Sequence, residues 1–267
     1  MASEPVRYEF DSGIAVLTLD DPPMNLVALE TVPALEAALD AVERDGARAV
    51  IVTGAGERAF CAGSDVSEFP GLMRPGEVVD RKLRRQNAAF DRLAALPVPT
   101  IAALGGLTYG GGLEIAVCCD LLIAERQVRL ALPEIKLGIF PGSGGTFRVT
   151  RRIGQVRAKE LMLLGEPVDA DTALSWGLLN RVVERGAALE AAKEWAATLA
   201  QRPRNSLALC KSLINATADE PDEEMLRRSL AASDEAFTSP EAREGVRAFF
   251  AKETPDFGNG APEHPDR

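Results

Sequence analysis

The stretch PTIAALGGLTYGGGLEIAVCCD, residues 99–120, places a short apolar strand pattern before three consecutive glycines and one carboxylate. Glycine disfavours a helix, yet the apolar run continues beyond the glycines and encloses Glu114. A solvated helix would carry polar residues at positions 110 and 118, and this stretch does not. It therefore predicts a strand, a turn and a buried helix that begins at Gly111 or Gly112 and carries Glu114.

Outward from this stretch, strand patterns alternate with helix patterns. One helical pattern ends at Gly46, and a second spans about residues 77 to 96. Strand patterns lie at 13–20, 48–54, 99–104, 120–125 and 128–132, and the second of these is almost continuously apolar. This order, with short connections, predicts an α/β core with parallel pairing. From about Gly154 the pattern is mostly helical, which fits either a cover over the sheet or an oligomer interface.

The composition is that of an ordinary globular protein. The 267 residues carry a formal net charge of −10, and no apolar run approaches the roughly 20 residues of a membrane helix. The first residues contain no apolar signal core. Acidic charge disfavours nucleic-acid binding but does not disfavour a polyanionic small ligand. We therefore expect a cytoplasmic protein with neither a membrane segment nor a nucleic-acid partner.

Histidine and cysteine usage restricts the possible chemistry. The four cysteines are Cys61, Cys118, Cys119 and Cys210, and they form no CxxC pair. Three of the four lie in apolar surroundings, which predicts buried reduced thiols. The single histidine is His264, in the polar tail at the end of the chain. A histidine-based nucleophile would depend on that residue, and a multi-histidine metal site is excluded. The chemistry must therefore use carboxylates, backbone N–H groups, lysine or tyrosine, without a metal.

Three glycine loops are candidates for ligand binding. GAGERA, residues 54–59, fits a dinucleotide fingerprint, but another glycine turn follows where the crossover helix should begin. The other two loops are FCAGSD, residues 60–65, and the glycine triplet, and each follows a buried strand. Two such loops from neighbouring strands could aim two amide hydrogens at one carbonyl oxygen, as in an oxyanion hole. Either loop taken singly favours a structural tight turn over a catalytic loop.

Two carboxylates favour the catalytic interpretation of these loops. Glu114 lies in the buried helix pattern, and Glu134 lies between apolar stretches in LALPEIKLGIFPGSGG. Alone, Glu134 fits a helix cap or a surface acid. Two carboxylates beside a carbonyl-polarising site would instead form an acid/base pair, in which shared burial raises one pKa. Such a pair can add or move protons next to an enolate.

These residues resemble the enoyl-CoA hydratase/isomerase (crotonase) superfamily, and most of all an enoyl-CoA hydratase. The matching motifs run in family order over nearly the whole chain: VLTLDDPPMNLVALE, AFCAGSDVSEF, GGLTYGGGLEIAVCCDLLIA, LPEIKLGIFPGSGGTFRVTRRIG and EGVRAFFAKETPDF. The resemblance implies an α/β fold, a crotonase-like spiral of ββα turns with a helical C-terminal oligomerisation region. It implies a catalytic core over 1–195 and a region over 196–267 for trimerisation and CoA contact. The implied assembly is a homotrimer or a hexamer made of two trimers.

The resemblance also implies roles for particular residues. The oxyanion donors would be the backbone N–H groups of Ser64 and Gly111, and Gly142 would offer a backbone donor to the attacking water. Glu114 and Glu134 would be the two catalytic glutamates. The acyl-CoA would lie along a strip formed by Ala62, Ser64, Asp65 and Val66. Met24 and Leu26 would form the opposite wall of its binding site, and Phe249 and Lys252 would contact it from the C-terminal region.

The implied reaction is the hydration of a 2-enoyl-CoA to a 3-hydroxyacyl-CoA, with CoA as part of the substrate and no separate cofactor. Two features depart from the hydratase pattern: Ser64 stands in place of a common alanine, and Phe147 in place of a frequent glutamine. A Δ3-Δ2 enoyl-CoA isomerase or an acyl-CoA hydrolase would need the same oxyanion hole. A non-catalytic acyl-CoA-binding or RNA-binding relative is a further alternative, which the acidic charge and the glutamate pair disfavour.

Overall fold

The computed structural model describes residues 4–258, so His264 lies outside the described residues. The strands are β1 Val6–Asp11, β2 Ile14–Leu19, β3 Ala49–Gly54, β4 Ala59–Cys61, β5 Thr100–Leu104, β6 Leu107–Tyr109, β7 Leu121–Glu125, β8 Arg129–Ala131, β9 Val168–Asp169 and β10 Arg181–Val183. The α-helices are α1 Thr31–Arg44, α2 Arg84–Ala95, α3 Gly111–Ala116, α4 Gly145–Leu164, α5 Ala170–Ser175, α6 Ala188–Ala200, α7 Arg204–Ala216, α8 Asp222–Thr238 and α9 Pro240–Ala251. A π-helical turn at Val79–Leu83 precedes α2, and 3₁₀ turns lie at Val66–Leu72 and Glu134–Leu137.

The strands form two sheets that the chain visits alternately. The larger sheet has the order β1-β2-β3-β5-β7-β10 and the smaller one β4-β6-β8-β9. Pairing is parallel except between β1 and β2 and between β8 and β9. Each pair β3–β4, β5–β6 and β7–β8 contributes one strand to each sheet before helical structure follows. This repetition is a spiral of ββα turns, and the predicted α/β class is confirmed.

The larger sheet is covered on both faces, as the apolar strand at 48–54 predicts. Ala49 and Ile51 pack in one cluster with the alanines of α6, including Ala192. Val50 and Val52 belong to the main core on the opposite face. Of the two sequence-based explanations for the helical second part, α6 therefore fits the cover over the sheet. Helix α6 runs across residue 195, and the division into two regions at that point stays a prediction.

The smaller sheet positions the candidate site. Its neighbouring strands β4, β6 and β8 are parallel, so their carboxyl ends lie at one edge. The FCAGSD loop follows β4, the glycine triplet follows β6, and Glu134 lies shortly after β8. Three sequence-distant segments therefore meet because ligand-binding loops gather where parallel strands end.

Two details of the helices and thiols are settled by the structure. The predicted helix at 77–96 is confirmed in position, but it contains the π-helical turn and ends at Ala95. Cys61, Cys118 and Cys119 are buried free thiols, which confirms the predicted burial for three of the four cysteines, and Cys210 is exposed. Within residues 4–258, no helix has both the length and the apolar character needed to cross a membrane.

Candidate active site

The two glycine loops approach each other at the carboxyl ends of β4 and β6. The position that a Cβ would occupy on Gly111 lies 3.6 Å from the amide nitrogen of Ser64. The corresponding position on Gly63 lies 3.6 Å from the amide nitrogen of Gly111. The backbone amides of Ser64 and Gly111 therefore lie on facing loops, and because Gly63 and Gly111 have no side chain, neither residue fills the space between them.

These two amides are not used by the fold. The preceding residue of the triplet, Gly110, donates its N–H to the carbonyl oxygen of Ala131 at 2.9 Å. Among the hydrogen bonds within residues 4–258, none engages the N–H of Ser64 or of Gly111. Two free backbone donors on facing loops are the arrangement that stabilises negative charge on one carbonyl oxygen.

The outer glycines of the triplet are required by their surroundings. Gly110 has φ 49° and ψ −126°, and a Cβ there would lie 2.9 Å from Oε1 of Glu134. A Cβ on Gly112 would lie 2.2 Å from the carbonyl oxygen of Cys61, closer than atoms can approach. Gly110 thus makes room for Glu134, and Gly112 lets α3 pack directly on β4.

Glu114 lies on α3, which begins at Gly111 as predicted, and it is 3% exposed. Its Oε1 accepts hydrogen bonds from the N–H groups of Ser143 at 2.7 Å and Gly145 at 2.9 Å. No hydrogen bond among the described residues engages its Oε2. Burial raises the pKa of Glu114, while the two amides and the charge of Arg148 oppose that shift.

Glu134 follows β8, the strand next to β6 in the smaller sheet, and its environment differs from that of Glu114. It is half-buried, and its Oε2 is a buried atom with no hydrogen-bond partner among the described residues. Burial raises the pKa of Glu134 to about 7; a hydrogen bond from its own backbone opposes this shift, and the charge of Glu114 adds to it. The two amide donors favour an ionised Glu114, whereas burial without a partner for Oε2 favours a protonated Glu134. The partial burial of Glu134 and its coupling to Glu114 disfavour the interpretation as a surface acid.

Gly142 lies beside the segment that binds Glu114. Its carbonyl oxygen accepts a hydrogen bond from Nδ2 of Asn87 at 3.0 Å, and a Cβ added to it would lie 3.3 Å from the side chain of Leu83. The next residue, Ser143, donates to Glu114. The structure thus brings Gly142 to the site, whereas its role as a donor to water stays a prediction.

Four residues around Glu114 are missed by the sequence analysis: Gln86, Ser143, Gly145 and Arg148. Nε2 of Gln86 lies 2.6 Å from Oγ of Ser143, and Nη1 of Arg148 donates to the carbonyl oxygen of Ser143 at 3.2 Å. One signal was available for Gln86, because it lies four residues before the buried Phe90 and therefore on the apolar stripe of α2.

The residues assigned to CoA binding form a paired segment. The N–H of Ala62 donates to the carbonyl oxygen of Met24 at 2.9 Å, and Val27 forms a parallel bridge with Ser64. The two segments are therefore adjacent, and their contact with CoA stays a prediction. Asp65 accepts a hydrogen bond from the N–H of Ser67 and so begins the 3₁₀ turn in which the exposed Val66 lies.

A buried lysine on the π-helical turn braces this segment. Lys82 donates to the carbonyl oxygen of Val27 at 3.0 Å and to Glu68 at 2.9 Å. Glu68 in turn accepts the N–H of Leu29 at 2.8 Å. Because Val27 is bridged to Ser64, this ion pair braces the segment next to the free amide of Ser64.

The C-terminal residues assigned to CoA lie on a separate helix. Phe249 is 77% exposed on α9, and Lys252 ends that helix with a positive φ of 58°. Neither side chain forms a hydrogen bond or a salt bridge within residues 4–258, so their contact with CoA stays a prediction.

Phe147 is exposed at the start of α4, where Arg148 and Arg151 lie against its ring. Within residues 4–258, no group of three or more His, Cys, Asp or Glu side chains could hold a metal ion.

Taken together, two free amides and two unequal carboxylates form an arrangement that could polarise a carbonyl group and move protons beside it. The family model for enoyl-CoA hydratase/isomerase matches residues 9–260. The chain therefore belongs to the enoyl-CoA hydratase/isomerase family, as the sequence motifs predict.

Individual relatives agree with this membership. A probable enoyl-CoA hydratase of Bacillus subtilis (strain 168) is 36% identical over 254 residues, which cover 94% of this chain and 98% of that protein. A short-chain-enoyl-CoA hydratase of Clostridium acetobutylicum is 35% identical over 250 residues, which cover 92% and 95% respectively. The crystal structure of an enoyl-CoA hydratase from Bacillus anthracis superposes with a TM-score of 0.90 at 31% identity, covering 96% of this chain and all of the other. The fold is accordingly the crotonase fold.

Proposed function

We propose that this protein hydrates 2-enoyl-CoA thioesters to 3-hydroxyacyl-CoA. One observation carries the proposal: Glu114 is held through Oε1 alone, while Oε2 of the neighbouring Glu134 is buried without a partner and burial raises the pKa of Glu134 to about 7. A hydratase needs one carboxylate that accepts a proton from water and one carboxylic acid that donates a proton to carbon. An oxyanion hole alone would serve several other reactions.

In the proposed reaction, the N–H groups of Ser64 and Gly111 bind the thioester oxygen and polarise the conjugated double bond. Water adds to C3 as Oε2 of Glu114 takes one of its protons, and the electron pair of the double bond moves towards the thioester oxygen. Glu134 then donates its proton to C2 as the enolate collapses to the thioester. Both glutamates belong to one site, so water adds to one face of the double bond.

The substrate class is supported by the relatives, among which are a probable enoyl-CoA hydratase and a short-chain-enoyl-CoA hydratase. We therefore propose acyl-CoA thioesters of fatty-acid or related metabolism, acted on in the cytoplasm without a further cofactor. We also propose that the chain assembles as a homotrimer or as a hexamer of two trimers. Exposed apolar side chains on α7, α8 and α9 support that assembly: Ile214, Leu226, Leu230, Phe237, Val246, Phe249 and Phe250.

The test is to replace each glutamate by its neutral isostere. Glu114→Gln and Glu134→Gln should each remove hydration of crotonyl-CoA, followed by the loss of enoyl-thioester absorbance, because each lacks one of the two proton transfers. Acyl-CoA binding, measured by calorimetry, should persist in both variants. Glu57→Gln changes an exposed glutamate paired with Arg185 and serves as the matched control. Near-wild-type turnover in either active-site variant would contradict these roles.

The wild-type protein also distinguishes the alternatives. If it leaves several enoyl-CoA chain lengths unchanged but shifts a 3-enoyl-CoA double bond or releases free CoA, the reaction is an isomerisation or a hydrolysis. If it binds no acyl-CoA, the family fold serves a different role here.

A further inference from the structure

The amide of Gln86 is buried with one of its polar atoms unpartnered. The residue is 1% exposed, and Nε2 lies 2.6 Å from Oγ of Ser143. Among the side chains within residues 4–258, the buried polar atoms without a hydrogen-bond partner are Oε1 of Gln86 and Oε2 of Glu134. If the amide of Gln86 is turned over, the Ser143 hydroxyl donates to Oε1 and Nε2 becomes the unpartnered atom.

Burial of such an amide costs free energy that an apolar side chain of similar size would avoid. The remainder of the same helix stripe is apolar, since Ala89, Phe90 and Leu93 are all buried in the core. A methionine at position 86 would satisfy the packing without the unpaired polar atom. Packing alone therefore does not account for a glutamine there.

The contacts of Ser143 show what the glutamine supports. Its N–H donates to Oε1 of Glu114, its Oγ contacts Gln86, and its carbonyl oxygen accepts from Arg148. The adjacent carbonyl of Gly142 is held by Asn87, the neighbour of Gln86 on α2. Helix α2 thus fixes the loop whose amides fix one oxygen of Glu114.

We propose that Gln86 is a positioning residue for hydration, because it holds Ser143 and so directs Oε2 of Glu114 towards the attacking water. This inference rests on the proposed function, in which Glu114 is the base. The residue acts through Ser143 and touches neither the water nor the substrate in this role.

The protonation of Glu114 depends on the charged groups that face it. Arg148 of α4 favours the ionised carboxylate, and Glu134 is coupled to it from the turn after β8. Helix α2 contributes the neutral amide of Gln86, while its Asp91 is paired with Arg148. Loss of the Gln86 contact would weaken the Ser143 hydrogen bond to Glu114, which raises the pKa of Glu114. The acidic limb of kcat/KM should then move to higher pH, because the ionised form is the active base.

The test compares Gln86→Met, Ser143→Ala and the double variant with the wild type. Gln86→Met should lower kcat by about tenfold or more with KM nearly unchanged, since a small misplacement of a reacting group is costly. It should move the acidic limb of the pH profile upwards and leave Tm unchanged or higher. Ser143→Ala should do the same to kcat, and the double variant should be no worse than either single one. Gln201→Met changes an exposed glutamine and is the matched control.

Wild-type-like kcat in Gln86→Met, a loss of kcat that accompanies a fall in Tm, or additive losses in the double variant would each overturn the proposal. A separate readout does not need turnover: infrared difference spectra between each protein and its Glu114→Gln counterpart report the titration of Glu114. A wild type that hydrates no enoyl-CoA would refute the proposed function. The positioning role of Gln86 would then be tested separately, by whether Gln86→Met shifts the titration of Glu114.

Discussion

Glu114 and Glu134 are the same residue type with different partners. Glu114 receives two backbone N–H groups on Oε1, whereas Oε2 of Glu134 has no partner within residues 4–258. Amide donors favour an ionised carboxylate, and burial without donors favours a protonated one. Two glutamates can therefore hold opposite protonation states at the same pH, which is what a proton relay across a double bond requires.

This difference predicts the pH dependence of the reaction. Glu134 must be protonated to donate to C2, and the pKa of Glu134 is raised to about 7. We expect kcat/KM to fall about tenfold per pH unit above that value, because the active protonated form is lost as pH rises. Initial rates with crotonyl-CoA across the neutral range provide the measurement. A kcat/KM that stays level well into the alkaline range would contradict the assignment.

At the scale of elements, the site depends on how closely α3 packs against β4. Gly112 is in contact with the backbone of Cys61, and this contact brings the start of α3 to the FCAGSD loop. Helix α2 and the π-helical turn before it act from the other side, through Gln86, Asn87 and Lys82. The backbone amides proposed as oxyanion donors and the Glu114 carboxylate are thus fixed by backbone packing and by buried polar contacts.

The contact predicts the effect of one added methyl group. Gly112→Ala places a Cβ 2.2 Å from the carbonyl oxygen of Cys61, so α3 must shift. We expect a loss of about 1–3 kcal/mol in the free energy of unfolding, and a lower kcat because the Gly111 amide moves with the helix. Urea unfolding measures the first effect and steady-state kinetics the second.

Gly71→Ala is the control for this variant, because a Cβ on Gly71 meets no atom within 4 Å. It should leave both unfolding and kcat unchanged. An unfolding midpoint for Gly112→Ala that equals the wild-type value would show that α3 does not pack on β4 as described.

At the scale of the whole molecule, the helices after α6 are unlike the rest. No residue of α7 or α8 is buried within the described part of the chain, and on α9 only Ala248 is. Yet these helices carry exposed apolar side chains, among them Phe237 with 85% exposure. A patch of this kind on a protein with net charge −10 marks an interaction surface, and a second copy of the chain is the proposed partner.

We expect sedimentation to give about three or six times the 28.5 kDa mass of one chain. Phe237→Asp should shift the protein to smaller species, because an aspartate cannot be buried at an apolar interface without a large desolvation cost. Phe10→Asp changes an exposed apolar residue on β1 and should leave the mass unchanged. A wild-type protein that sediments as a monomer would contradict the proposed assembly.

Much of the local structure follows from sequence periodicity and composition. The apolar strand at 48–54 is buried on both faces as expected, and the helix carrying Glu114 begins at Gly111. The strands β4, β6, β9 and β10 were not predicted, since two or three residues carry too little periodicity, and β1 was missed because it is mostly exposed. Gln86 and Lys82 were missed for another reason: both lie among charged and polar residues in the sequence, and even the apolar stripe of α2 does not show by itself that a glutamine on it is buried.

The sequence by itself determined the α/β class, the family and which glycines and glutamates are candidates for the chemistry, because these depend on short-range patterns and on motif order. Only the tertiary structure decided how Glu114 and Glu134 differ. Their pKa shifts depend on burial and on amides from Ser143 and Gly145, which lie about 30 residues from Glu114 along the chain. Such contacts arise when parallel strands bring distant loops to one edge, and no local pattern encodes them.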